Sequence, residues 1–385
     1  MPSIFRSKPN KNKASSFQNL WRPLERILAQ TPLLKSRGDR PLQMNFEEQL
    51  KALVFFHLEE HQSARELLQV LNEDEFARKT IAPEAGIKKS SFSEAINTRG
   101  LDQLTYVFQQ LQQQATELLP KEHEHLGNLV AIDGSLINAV LSMHWADYRK
   151  GAKKAKIHLG FDLNQGIPLK LLLTNGKEGE RPFARQILTS EHTGVLDRGY
   201  QSHQLFDYWQ EHQIKFVCRI RATTQRTVIQ KHDTPPKGFV FYDAIVLLGT
   251  PGVNQTNKSI RLIGYRVNGK NYWVATNRLD LSAEQIASIY KMRWEIENFF
   301  AWWKRHLKVY HLIARTEYGL MVQILSGLIT YLLLAIYCHQ QHNEKVNIKR
   351  VRELRINIQN EARESGKTST KSNLHKEYNY HLAKT

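Results

Sequence analysis

The stretch SIYKMRWEIENFFAWWKRHLKVYH, residues 288–311, mixes charged side chains with bulky aromatic ones in a way that is typical of neither a surface helix nor a core helix. At about 100° per residue, Arg293, Glu297 and Lys304 fall within about 60° of Tyr290 on one helical stripe. Apolar residues recur at helical spacing beside that stripe, at Ile296, Phe300, Trp303 and Leu307. The spacing predicts one helix that buries a flank in a core and presents a narrow polar edge next to it.

Two acids earlier in the chain share a second pattern. Asp133 and Asp197 each follow an apolar run, VAI and GVL, and each precedes a glycine within two residues. We predict that both acids end a strand and point into the crevice beyond a sheet, where an ion and a substrate can be held. Carboxylates of this kind suit Mg²⁺, which takes one or two protein carboxylates and completes its shell with water and phosphate oxygens. Taken singly, each acid also fits a helix cap or loop start, and Arg293 with Glu297 fits an ordinary i,i+4 surface ion pair.

The combination of these residues resembles a known family. The pattern Tyr290-x2-Arg293-x3-Glu297-x6-Lys304 matches the Y-R-E-K signature of the DDE transposases of bacterial insertion sequences, in the family named after insertion sequence four. IDGS and LDRGY resemble that family's two aspartate motifs, and the resemblance covers about residues 80–340. It implies an α/β fold: an RNase H-like mixed-sheet catalytic core, interrupted by a β-rich insertion, with a helical N-terminal DNA-binding domain.

The resemblance also implies an activity. The protein would bind the terminal inverted repeats of its insertion sequence, cleave the DNA ends and join the 3′ ends to target DNA by two-metal phosphoryl transfer. Its catalytic and metal-binding residues would be Asp133, Asp197 and Glu297, holding Mg²⁺ with Mn²⁺ as a possible substitute. Its partners would be double-stranded DNA, at the transposon ends and the target, and a second copy of the chain in a homodimer on DNA.

Several residues are predicted to contact DNA. By the resemblance, Tyr290, Arg293 and Lys304 would touch transposon-end phosphates, and Trp273 stands where relatives stack a flipped base, although a core tryptophan is the open alternative. Residues 82–100, APEAGIKKSSFSEAINTRG, resemble a helix-turn-helix with Gly86 in the turn and Ser91 as a helix cap. The basic residues that this motif would bring near a duplex are Lys88, Lys89 and Arg99. A helical pair with solvated lysines and no DNA contact stays open.

Changes in pattern along the chain predict its organisation. Helical periodicity dominates before Pro120, alternating apolar runs follow it, and β-branched and aromatic runs separated by turn clusters fill the stretch from about Arg219 to Asn277. The predicted segments are a basic flexible arm at 1–40, a helical DNA-binding domain at 41–119, the first part of the RNase H-like core at 120–218, a β-strand insertion at 219–278, the second part of the core with the catalytic glutamate helix at 279–340, and a basic C-terminal tail at 341–385.

Charge and cysteine content narrow the class of protein. The chain has 54 Lys and Arg against 37 Asp and Glu, a formal net charge of +17, which predicts a polyanionic partner, with nucleic acid ahead of a membrane surface. A basic protein without such a partner is the alternative. Its two cysteines, Cys218 and Cys338, cannot build a disulfide framework or a zinc cluster. We therefore expect a cytoplasmic bacterial protein, associated with the nucleoid when bound to DNA.

One segment challenges that expectation. Residues 318–343 carry no Asp, Glu, Lys or Arg and approach the length of about 20 residues that a membrane span needs. Polar residues interrupt the segment at Gln323, Ser326 and Thr330. We predict a buried core helix packed on the sheet and no membrane partner. A membrane-associated protein and a DNA-binding protein of transposase descent without cleavage activity are the alternative functions.

Overall fold

The computed structural model describes residues 15–35, 41–83, 85–234 and 238–364. The chain divides into two compact units, which we call the helical unit, Met1–Leu111 with Val322–Thr385, and the sheet unit, Gln112–Met321. The ends of the sheet unit differ from the boundaries that the sequence pattern predicted at 119 and 340, and the six-segment division stays a prediction.

The helices in the described part of the chain are mostly short. They are α1 (Ser16–Trp21), α2 (Glu25–Gln30), α3 (Phe46–Leu58), α4 (Ala64–Glu73), α5 (Glu75–Thr80), α6 (Lys89–Thr98), α7 (Leu101–Leu118), α8 (Arg181–Ile187), α9 (His203–Glu211), α10 (Ala283–Met292), α11 (Trp294–His306) and α12 (Glu317–His342). Residues 348–364 are also helical, and 3₁₀ turns occupy Arg22–Leu24, Glu124–Leu126 and Arg198–Tyr200.

One mixed sheet organises the sheet unit. Its strands are β1 (Leu129–Ala139), β2 (Asp147–Arg149), β3 (Ala152–Asp162), β4 (Ile167–Asn175), β5 (Thr193–Leu196), β6 (Lys215–Arg219), β7 (Arg226–Lys231), β8 (Val240–Leu248), β9 (Ile260–Val267) and β10 (Lys270–Thr276). They lie in the order β2-β3-β1-β5-β6-β10-β9-β8-β7, with β4 also paired to β3. β5 is parallel to β1 and to β6, and the other pairs are antiparallel. The predicted α/β class and RNase H-like mixed sheet are confirmed.

The strands of the predicted insertion continue this sheet. β10 pairs antiparallel with β6, with Ala275 opposite Cys218, and β9, β8 and β7 follow in turn. The apolar and aromatic runs that predicted strands in this region are confirmed as β8, β9 and β10. Because backbone hydrogen bonds run from β6 into β10, the insertion shares one sheet with the core.

Aromatic packing fixes α9 on the sheet. Ser202 accepts a hydrogen bond from the Leu205 amide and so caps the start of the helix. From there Phe206 stacks on Phe216 of β6 with ring centroids 4.9 Å apart, and Trp209 lies 5.3 Å from the same ring. These buried rings form part of the hydrophobic core of the sheet unit, which stabilises the strands that carry the two aspartates.

The helical unit corrects two predictions. Residues 15–30 of the predicted flexible arm contain α1 and α2, which bury Phe17 and Leu20, because these side chains have apolar partners in the folded unit. α6 begins at Lys89 with Lys88 as its N-cap, so Ser91 is inside the helix and does not cap it. Gly86 has a φ of +78° in the turn before α6, which confirms that part of the motif. The rest of the predicted arm and tail, 1–14, 36–40 and 365–385, lies outside the described residues.

The uncharged segment forms α12. This helix is long and apolar enough to cross a membrane, but 89% of its most apolar 18-residue window is buried inside the fold, as in the core helix of a soluble protein. Its polar residues have partners: His57 Nε2 of α3 lies 3.2 Å from the carbonyl oxygen of Gln323 and 3.1 Å from Ser326 Oγ. From Val322 onward α12 belongs to the helical unit, which corrects the prediction that it packs as part of the sheet core.

Candidate active site

Strand register places the two aspartates at the same level of the sheet. β1 and β5 run parallel, with Leu129 opposite Thr193 and Ala131 opposite Val195. Asp133 and Asp197 stand two residues further along the chain than Ala131 and Val195. Because side chains alternate between the two faces of a sheet, each aspartate points to the same face as the residue two positions before it. The parallel pairing stops at Ala131, so the acids lie where β1 and β5 separate.

The sequence pattern predicted that Asp133 ends a strand, but the structure places it inside one. β1 continues to Ala139, and Asp133 pairs with Leu159 on β3. The antiparallel neighbour β3 extends β1 beyond the point where β5 stops, which an apolar run followed by a glycine did not reveal. Asp197, by contrast, directly follows β5 as predicted.

Each aspartate is oriented by a nearby glycine amide. The Gly134 amide donates to Asp133 Oδ1 at 2.8 Å, and the Gly199 amide donates to Asp197 Oδ1 at 2.7 Å. Burial raises the pKa of Asp133 to about 6, with smaller raising contributions from the charges of Glu180 and Asp197, against the lowering effect of Arg293. Desolvation of the carboxylate is therefore the main reason that Asp133 resists ionisation.

The opening stretch forms two helices, not one. α10 ends at Met292 and α11 begins at Trp294, and at the junction the Arg293 amide donates to the Tyr290 carbonyl and the Ile296 amide to the Arg293 carbonyl. These i→i−3 bonds tighten the chain for one turn without a proline or glycine, so the sequence carries no break signal there. Tyr290 is thus on α10 and Glu297 and Lys304 are on α11.

Arg293 joins Tyr290 to Glu297. Its Nη2 donates to Glu297 Oε1 at 2.5 Å, and its guanidinium carbon lies 5.9 Å from the centre of the Tyr290 ring. The side chains of Arg293 and Glu297 are 13% and 33% exposed, so this is a partly buried pair and not the surface pair of the alternative interpretation. Arg293 also acts electrostatically on Asp133, which links the helix junction to β1.

Lys304, in the last turn of α11, holds that helix to β1, the strand that carries Asp133. Its Nζ donates to Ser135 Oγ at 2.6 Å and to the Leu136 carbonyl at 2.9 Å, two and three residues beyond Asp133. Burial lowers the pKa of Lys304, and the charge of Asp133 opposes that shift. The sequence predicted a phosphate contact for Lys304 and did not reveal this contact with β1.

Residues 124–333 match the family described as "Transposase DDE domain". This match covers more than half of the chain and includes both aspartates and the four Y-R-E-K residues. The chain belongs to this family. It is 28% identical over 207 residues to the probable transposase for insertion sequence element IS5377 of Geobacillus stearothermophilus, covering 53% of this chain and 54% of that protein. It is 24% identical over 258 residues to the putative transposase for insertion sequence element IS4SA of a Synechocystis species, covering 64% of this chain and 71% of that protein.

A third relative gives the same result. The putative transposase y4zB of Sinorhizobium fredii is 28% identical over 198 residues, which cover 50% of this chain and 56% of that protein. The chain spans about half the length of this relative and of the Geobacillus protein. The predicted family resemblance is confirmed.

The acids of the DDE domain suit a divalent cation by their chemistry. Mg²⁺ prefers carboxylate oxygens and commonly binds through only one or two of them. Asp133 and Asp197 offer such a pair, and the charge of each acts on the crevice that they share. In the residues that the structure describes, no three His, Cys, Asp or Glu side chains form a ligand group, and Glu297 is paired with Arg293. The three-carboxylate set stays a prediction.

The other residues predicted to contact DNA differ in how exposed they are. Lys88 and Lys89 are exposed at the start of α6, whereas Arg99 is only 7% exposed and so offers little surface to a phosphate. Trp273 is partly buried against the core of the sheet unit, with Arg226 over its ring at 4.1 Å. The structure therefore brings Arg293 and Lys304 close to Asp133 and pairs Glu297 with Arg293. It does not place Trp273 in the cavity beside Tyr290.

The raised pKa of Asp133 predicts a stability effect in the absence of metal. Because the folded-state pKa of about 6 exceeds the ordinary 3.8, the folded protein loses stability as pH rises from about 4 to 6 and stays less stable above that range. We expect Asp133→Asn, measured in EDTA, to raise the free energy of unfolding at pH 7.5 by about 1–3 kcal/mol and to change it little at pH 4. Urea unfolding at both pH values checks this, with exposed Glu295→Gln as control. An equal effect at both pH values would contradict the expectation.

Proposed function

We propose that this chain is a DNA transposase that binds the terminal inverted repeats of its own insertion sequence, cleaves the DNA ends and joins the 3′ ends to target DNA. One observation carries the proposal. Asp133 and Asp197 each stand two residues beyond Ala131 and Val195, the last register pair of the parallel strands β1 and β5, and Lys304 of the Y-R-E-K set bonds to β1. That geometry brings three separate motifs of the sequence to one place.

Each side chain has a role in the proposed reaction. Asp133 and Asp197, with Glu297, would hold divalent cations, Mg²⁺ or Mn²⁺, which when bound would activate the attacking oxygen and stabilise the leaving oxygen of an in-line displacement. Arg293 orients the Glu297 carboxylate, and its planar guanidinium suits a phosphate that needs two parallel hydrogen bonds. Lys304 holds α11 against β1, so the helix that carries Glu297 packs on the strand that carries Asp133.

A cavity beside Arg293 has the composition of a nucleic-acid contact. It has a volume of about 700 Å³, and its lining combines aromatic rings with cationic groups, including Arg219, Tyr265, Tyr272, Tyr290, Arg293 and Trp294. Arg219 lies over the Tyr272 ring at 4.8 Å, and Trp294 is 58% exposed. Rings and guanidinium groups together stack on bases and hold phosphates, which supports DNA as the partner.

A second cavity near Asp197 supports the same partner. It has a volume of about 530 Å³ and is lined by the exposed arginines Arg181, Arg198 and Arg221. Arg198 directly follows Asp197, so a backbone phosphate held here would lie close to the acids. When both cavities hold DNA, we propose that two copies of the chain form a homodimer that binds two element ends. We also propose that the protein is cytoplasmic and associated with the nucleoid.

Supercoiled DNA that carries the terminal inverted repeats of the element tests the proposal. Incubation with the protein and Mg²⁺ is expected to cut at the element ends, and EDTA or scrambled repeats are expected to abolish the cuts. Sedimentation of the protein with and without the repeat DNA tests the homodimer. Binding of the repeats without any cut under Mg²⁺ or Mn²⁺ would favour the non-cleaving DNA-binding protein instead.

DNA affinity should depend steeply on salt. Each phosphate neutralised by Lys or Arg adds about −0.9 to the slope of log K against log salt concentration. Fluorescence anisotropy with repeat DNA is therefore expected to show a strongly negative slope, and Arg293→Gln is expected to reduce its magnitude by about one unit. Exposed Arg305→Gln on the same helix, outside the cavity of Tyr290, serves as the matched control. A slope near zero would refute phosphate-dominated binding.

A further inference from the structure

Glu180 is a carboxylate that the sequence patterns did not single out. It immediately precedes α8 and is partly buried, with its side chain 28% exposed. A Cβ atom placed on Gly134 would lie 2.6 Å from Glu180 Oε1 and 3.0 Å from its Cδ. Real Cβ atoms do not approach other atoms this closely, so the Glu180 carboxylate occupies the space that the glycine after Asp133 leaves open.

The same carboxylate also reaches the second aspartate motif. A Cβ placed on Gly199 would lie 3.4 Å from Glu180 Oε2 and 3.0 Å from Asp197 Oδ1. Glu180 therefore stands between the glycine of IDGS and the glycine of LDRGY. Its position explains why glycine occupies both positions, because a side chain at Gly134 or Gly199 would crowd the carboxylates.

Charge around Glu180 is only partly compensated. Lys156 Nζ is 3.5 Å from Glu180 Oε1, longer than a close hydrogen-bonded ion pair. The charges of Glu180 and Asp197 both act on partly buried Asp133. Three acids around one crevice repel each other in the absence of a cation.

A buried hydroxyl provides a second observation at the same place. Tyr200 is fully buried, and its hydroxyl has no hydrogen-bond partner among the described residues. The acids whose charges act on this hydroxyl are Glu180, Asp133 and Asp197. An unpaired buried hydroxyl destabilises the fold, and the water of a hydrated cation between the acids would supply the missing partner.

We propose that Glu180 is a further carboxylate that strengthens the divalent-cation site of Asp133 and Asp197. The three acids do not form a ligand group as they stand among the described residues, so Glu180 acts on the cation by its charge or through a water of the cation's shell. Glu297 remains paired with Arg293, so Glu180 supplies negative charge to the two aspartates that is not already engaged by an arginine. The inference rests on the proposed function, since it assigns a residue to the cation that the transposase reaction needs. It concerns cation affinity itself and can be tested without DNA.

Direct Mn²⁺ binding to the full chain tests it. The electron paramagnetic resonance signal of free Mn²⁺, titrated against protein, gives the dissociation constant without DNA or turnover. Glu180→Gln is expected to weaken Mn²⁺ binding by about tenfold or more. The matched control is Glu178→Gln, because Glu178 is an exposed glutamate two residues earlier in the same loop. Thermal unfolding in EDTA verifies that each variant is folded.

A second pair of variants tests the geometry without removing the acid. Gly134→Ala would displace the Glu180 carboxylate and is expected to weaken Mn²⁺ binding as Glu180→Gln does. Gly179→Ala is the control, since a Cβ on Gly179 would meet nothing within 4 Å. Unchanged Mn²⁺ affinity in Glu180→Gln or in Gly134→Ala overturns the inference.

The aspartates separate failure of the inference from failure of the proposed function. If Asp133→Asn and Asp197→Asn lose Mn²⁺ binding while Glu180→Gln keeps it, only the role of Glu180 is refuted. If both aspartate variants bind Mn²⁺ as the unaltered protein does, the cation site of the proposed function is refuted with it.

Discussion

Asp197→Asn and Glu297→Gln are each expected to reduce cleavage at the element ends by about 10³-fold or more. Removing one carboxylate from a site that holds catalytic cations removes several kcal/mol of stabilisation from the developing charge of the transition state, and about 4 kcal/mol corresponds to that factor. Both substitutions keep the shape of the side chain. Asp197→Asn would still accept the Gly199 amide through its amide oxygen, so the local fold should persist.

Single-turnover cleavage of labelled repeat DNA measures the effect. Glu295→Gln is the matched control, because Glu295 is an exposed glutamate on α11 two residues from Glu297. Repeat DNA should still bind both inactive variants, as shown by anisotropy in EDTA. Cleavage by either variant at the rate of the unaltered protein would refute the assignment of that residue.

Trp303→Ala is expected to lower the free energy of unfolding by about 3–5 kcal/mol, the usual range for a fully buried tryptophan truncated to alanine. Trp303 is 0% exposed, and its ring stacks on Phe299 at 5.8 Å. Phe299 in turn lies 4.8 Å from Phe161 of β3. The cavity would loosen the contact between α11 and the sheet, and with it the position of Lys304 on β1.

Chemical unfolding followed by circular dichroism measures the loss. Trp294→Ala is the control, since Trp294 is on the same helix but 58% exposed, and its truncation should cost less than about 1 kcal/mol. Equal losses in the two variants would contradict the view that the apolar flank of α11 fixes the site. A loss of DNA affinity in Trp294→Ala without loss of stability would instead support its place in the cavity beside Arg293.

Local patterns predicted much of the fold because they depend on neighbouring residues. The alternating apolar runs after Pro120 predicted the strands of a mixed α/β core, and the β-branched and aromatic runs from about Arg219 to Asn277 predicted β8, β9 and β10. Gly86 lies in the turn before α6, as the helix-turn-helix resemblance predicted. The family resemblance rested on residue types at set spacings, which the chain carries regardless of its folding.

Contacts between distant segments could not be predicted in the same way. The continuation of β1 beyond Asp133 depends on its pairing with β3, and the junction at Arg293 has no proline or glycine to mark it. Glu180 stands in a polar stretch between a strand and a short helix, where a glutamate usually means only a solvated loop. A glycine in each aspartate motif was the single hint that something bulky lies over them.

Residue types and their spacing alone supply the chemistry of this protein: two aspartates, a glutamate and the cationic residues at a family spacing, on a chain with a net charge of +17. Which of these groups meet depends on how the chain folds. Parallel pairing of β1 with β5 aligns Asp133 with Asp197, the bonds of Lys304 attach α11 to the same strand, and the close approach of Glu180 adds a carboxylate to the crevice. Burial then raises the pKa of Asp133, because desolvation depends on what packs around a group and not on the letters beside it.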